Sequence, residues 1–76
     1  MLQMTATSIE DLRRKLGINQ IQLAKEARVN QNTISLIEGG ARPNLASAKK
    51  IWEAINRLRA EKGLSRLGFE EIDWNW

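Results

Sequence analysis

The chain has 76 residues, with 12 Lys and Arg against 9 Asp and Glu, a formal net charge of +3, and neither Cys nor His. That length makes one small domain with a modest core. No disulfide and none of the usual zinc ligand sets can be built, and the common nucleophile–base pairs of catalysis are missing, so no enzyme, metal or cofactor is expected.

The opening MLQMTATSIEDL lacks the charged-then-apolar pattern of a signal peptide. With no apolar run of membrane-spanning length, a cytoplasmic protein with no membrane partner is expected. Ser8 is placed to cap a first helix from about Ile9 to Leu16, with Glu10 and Asp11 at its positive dipole end and Gly17 as its stop. Asn19 caps a second helix, Gln20 to about Ala27, with Gln22 set to complete a capping box. Asn30 caps a third, Gln31 to Glu38, which Gly39-Gly40 ends. Arg42-Pro43 reads as loop, because proline pushes its predecessor out of the helical region. Asn44 then caps a long fourth helix, Leu45 to about Glu61, with Gly63 beyond it.

Apolar side chains recur at helical spacing along all four segments. They predict a core of Ile9, Leu12, Leu16, Leu23, Ala27, Val29, Ile34, Ile37, Leu45, Ala48, Ile51, Trp52 and Ile55. Ala24 supplies a small residue where two helices cross. The fold class is therefore all-α, a bundle of four or five helices. The tail LSRLGFEEIDWNW reads differently. Ile72, Trp74 and Trp76 alternate with Asp73 and Asn75 at strand period, and Phe69 to Ile72 suits a short fifth helix. The tail is expected to form a helical turn followed by an extended arm. Residues 1–63 hold the helical unit, and 64–76 form the tail of the same domain.

The segment QIQLAKEARVNQNTISLIE places two short helices at a tight corner, the pattern of a helix-turn-helix that presents its second helix to the DNA major groove. Asn19-Gln20 ahead of Leu23-Ala24, the run Thr33-Ile34-Ser35, then Glu38-Gly39-Gly40 and Arg42-Pro43 follow in an order and spacing that resemble the phage-repressor (Cro-like, Xre-like) family. The resemblance spans roughly residues 8 to 58 and implies a lambda-repressor-like bundle. One departure stands out: Arg28 occupies a corner position that is usually glycine.

Away from Ile34 and Ile37, the third helix carries Gln31, Asn32 and Ser35, short amides and a hydroxyl suited to base edges. Thr33 and Leu36 are further candidates for base contact, the leucine against a thymine methyl. Asn19 and Gln20 begin the second helix, whose free N–H groups suit a phosphate. The resemblance implies that Gln20 grips the DNA backbone and that Arg42 touches it from the loop. It also implies a partly buried ion pair between Arg13 and Glu38. The function expected is a sequence-specific double-stranded DNA-binding regulator of transcription, a repressor acting as a homodimer on a palindromic operator. The alternative is the antitoxin of a toxin–antitoxin pair. In either case Phe69, Ile72, Trp74 and Trp76 are the expected contact with a second copy or with a toxin.

Overall fold

A computed structural model describes residues 6–76. It contains β1 (Thr7–Ser8), α1 (Ile9–Lys15), α2 (Gln20–Ala27), α3 (Gln31–Glu38), α4 (Leu45–Glu61), a 3-10 turn (Phe69–Glu71) and β2 (Ile72–Asp73). Each helix starts on a side-chain oxygen that accepts from a backbone N–H of the first turn. Ser8 accepts from Asp11, Asn19 from Gln22, Asn30 from Asn32 and Asn44 from Ser47. At α2 the Gln22 side chain returns the bond to the Asn19 N–H, closing a capping box.

The helices also end alike. After α1, α3 and α4 a glycine takes a positive φ: Gly17 at 72°, Gly40 at 106° and Gly63 at 74°. The N–H groups there fold back on the last turn, as in Ala41 N–H to the Leu36 carbonyl at 2.9 Å and Gly40 N–H to that of Ile37 at 3.0 Å, the Schellman pattern. Arg28 does the same work after α2. It sits at φ 59°, ψ 44°, with Val29 N–H on the Ala24 carbonyl at 3.0 Å and Arg28 N–H on that of Lys25 at 3.2 Å. The corner keeps its geometry without glycine, at a conformational cost of about 1 kcal/mol.

α2 packs against both α3 and α4, with α1 against α3. The buried core comprises Ile9, Leu12, Leu16, Leu23, Ala24, Ala27, Ile34, Ile37, Ala48, Ile51, Ala54, Ile55, Ile72 and Trp74. Val29 and Trp52 are half-buried against it. Leu45 is a correction to the expected core, being 55% exposed: the packed face of α4 begins only at Ala48.

The tail returns over the body. β2 pairs in parallel with β1, Thr7 opposite Ile72 and Ser8 opposite Asp73, which brings the arm beside the N-terminus of α1. Asn56, buried on α4, donates to the Leu67 carbonyl at 3.0 Å and accepts from the Leu67 N–H at 2.8 Å. Trp52 Nε1 donates to the same carbonyl at 2.8 Å. Phe69 packs edge-on to Trp52, with ring centroids 5.6 Å apart, and stacks on Trp74 at 5.1 Å. The expectation that Phe69, Ile72, Trp74 and Trp76 face a partner is therefore corrected for two of them. Ile72 (3% exposed) and Trp74 (2%) lie inside the chain's own core. Their alternation is real, but the buried face of the arm meets this molecule. Phe69 is half-buried, and Trp76 stays 59% exposed.

Candidate nucleic-acid interface

Ile34 and Ile37 anchor α3 in the core, which turns Gln31, Asn32, Ser35 and Leu36 to the solvent. Thr33 is half-buried. With Leu36, Arg42 and Asn44 it lines one shallow groove between α3 and the start of α4. The five candidates for base contact thus share one short helix, and Arg42 stands at its far end.

A hydrogen-bonded chain runs under this face. The Arg13 guanidinium grips Glu38 with two bonds, Nε to Oε2 at 2.7 Å and Nη2 to Oε1 at 3.1 Å, while its Nη1 donates to the Ile18 carbonyl at 3.0 Å. The pair is mostly buried, with side chains 13% and 7% exposed. Burial pulls the Glu38 carboxyl upward, but the hydrogen bonds from Arg13 and Gln20, with the nearby positive charge, outweigh it and hold it below its usual range. The Arg13 value is raised, chiefly by its bond to Glu38.

Gln20 Nε2 donates to Glu38 Oε1 at 2.9 Å, and Gln31 Nε2 donates to Gln20 Oε1 at 3.2 Å. An ionised carboxylate only accepts, so Gln20 must turn its amide nitrogen to Glu38 and its oxygen to Gln31. That fixes Gln31 in turn. Its nitrogen faces inward with one N–H spent, which leaves its oxygen and a second N–H for another partner. Gln20, read from the sequence as a backbone grip, is placed as a relay between the ion pair and α3. Its backbone N–H still lies in the first turn of α2 beside the exposed Asn19, whose side-chain oxygen serves the cap.

Sequence reasoning did not find this relay, because its members lie 11 and 18 residues apart on different helices. Nor did it find Asn75, whose carbonyl accepts from Arg42 Nε at 3.2 Å. An asparagine between two tryptophans carries no signal beyond its tolerance for left-handed backbone.

The sequence model of the helix-turn-helix family matches residues 9–57, more than half of the chain. The chain belongs to that family. It is accordingly a DNA-binding regulator of transcription whose partner is double-stranded DNA. The matched stretch takes in α1 to α3 and most of α4, and stops before the returning tail. Neither the curated proteins nor the solved structures that were compared gave a match. No helix among the described residues is long and apolar enough to cross a membrane.

Proposed function

We propose that this helix-turn-helix protein recognises a specific operator by laying α3 in the major groove, with Gln31 and Asn32 on base edges and Ser35, Thr33 and Leu36 beside them. The observation that carries this reading is the relay from Arg13 through Glu38 and Gln20 to Gln31. It leaves Gln31 with one acceptor and one donor side by side, the pair that adenine matches with its N6 amino group and N7. Asn19, the N-terminal N–H groups of α2 and Arg42 supply phosphate contacts that set the register of the helix without reading sequence.

A single unit of this size buries too little DNA for high specificity, so two copies on a palindromic site complete the reading, in the cytoplasm, as a repressor. The antitoxin reading is weaker, since two of its four aromatic and aliphatic anchors, Ile72 and Trp74, are committed to the chain's own core.

Titration of operator variants against Gln31→Ala and Asn32→Ala tests the assignment. Each substitution is expected to relax preference at particular base pairs and to cost about 1–3 kcal/mol at the preferred site, with non-specific affinity almost unchanged. Equal weakening on every sequence would mean that α3 is not the reading element.

A further inference from the structure

We propose that Asn75 is a positioning residue for DNA binding: it fixes the loop after α3 and aims Arg42 at the phosphate backbone. The proposal rests on the DNA-binding reading above and assigns a task to the tail, which lies outside the matched helix-turn-helix region.

The geometry begins with Trp74. Its ring is buried, and its Nε1 donates to the Phe69 carbonyl at 3.0 Å, so the chain enters Asn75 from a fixed point. Asn75 then adopts a left-handed backbone, φ 69°, with its N–H on Asp73 Oδ1 at 3.0 Å. From there its side-chain Nδ2 donates to two carbonyls, those of Ile37 and Ala41, each at 3.0 Å. Ile37 lies in the last turn of α3, and Ala41 lies in the loop that follows. The bonds that close α3 use the Gly40 and Ala41 N–H groups, and Asn75 holds the Ile37 and Ala41 carbonyls of the same stretch from the tail.

The third bond concerns the arginine itself. Arg42 Nε donates to the Asn75 carbonyl at 3.2 Å. Engaging Nε leaves both terminal nitrogens of the guanidinium, the end of its fork, for a phosphate. Holding a long, exposed side chain in one orientation before DNA arrives lowers the ordering cost of the contact. One residue thus ties together the end of the reading helix, the loop and its cation.

The test compares variants on a duplex that the wild-type chain has itself selected from a random pool, with thermal stability measured in parallel. Asn75→Gly keeps the left-handed backbone and removes the amide. Its affinity should fall by about fivefold, the value of roughly one net hydrogen bond. Asn75→Asp keeps the shape but turns acceptor oxygens toward two carbonyls, so its loss should be greater. Leu64→Ala, at an exposed and uncharged position of the tail, leaves the Asn75 bonds in place and should bind within about twofold of the wild type. Because the effect passes through Arg42, Asn75→Gly should add much less in an Arg42→Ala background. Both variants should also flatten the dependence of log affinity on log salt, by about one unit of slope when the Arg42–phosphate contact is lost completely. Amide exchange at Gly40 to Arg42 should speed up in Asn75→Gly.

Wild-type affinity and an unchanged salt slope in both Asn75 variants would overturn the proposal. So would a Leu64→Ala loss as large as that of Asn75→Gly, or a full additional loss on top of Arg42→Ala. A wild-type chain that retains no duplex at all would instead defeat the DNA-binding reading, which is a different result.

Discussion

A chain ended at Gly68 is expected to lose its stable fold. The missing residues include Ile72 and Trp74, both buried, and the half-buried Phe69 that packs between Trp52 and Trp74. Emptying a buried site of that size costs about 2–5 kcal/mol. Two such losses approach the whole stability of a small domain, about 5–15 kcal/mol. The truncation also removes the β1–β2 pairing beside the α1 cap and the Asn75 bonds to the α3–α4 loop. Circular dichroism during heating should show no cooperative transition, or one at a far lower temperature. The milder Trp74→Ala should remain folded and lose about 3–5 kcal/mol. An unchanged melting curve for the shortened chain would contradict this account. If that chain were also monomeric while the full chain was dimeric, the tail would be an interface between copies.

Removing either member of the Arg13–Glu38 pair is the second large effect. Arg13→Ala strands a mostly buried carboxylate and Glu38→Ala a mostly buried guanidinium, each at a cost of about 3 kcal/mol or more. The pH dependence has a definite sign. Glu38 lies below its ordinary value in the folded chain, so the unfolded chain takes up this proton first as pH falls. The stability it contributes is fully present above the ordinary glutamate value and is lost as pH drops through the folded value. Glu38→Gln should flatten that part of the acid limb in denaturant titrations across pH. It should also affect recognition. A neutral amide can donate as well as accept, so the polarity of Gln20, and through it of Gln31, is no longer fixed. Discrimination at the base pair facing Gln31 should narrow. A Glu38→Gln protein with the wild-type acid limb and base preference would show that the pair does not set the relay.

The helices were legible because their limits are written in local chemistry. Ser8, Asn19, Asn30 and Asn44 each cap a turn within three residues of themselves, and helical spacing of Ile34 and Ile37 settles which side chains of α3 face outward. Arg28 was visible as a departure, and the structure shows how the corner absorbs it: a Schellman closure does not strictly require glycine. The tail was less legible. Alternation shows that Ile72 and Trp74 share a face, but not whether that face meets this chain or another. Leu45 was misplaced for a related reason, since period marks a face and does not mark where packing along it begins. The roles of Gln20 and Asn75 depend on contacts across 11 to 38 residues of chain, which periodicity and capping do not encode.

The most direct test of sequence-specific recognition by α3 is selection of bound duplexes from a random pool, run side by side with the wild-type chain and with Gln31→Ala. The wild type should enrich a palindromic consensus with an A·T pair at a fixed place in each half-site, and Gln31→Ala should lose preference at that pair while keeping the rest. A pool that stays random, or a consensus that Gln31→Ala leaves untouched, would contradict the account.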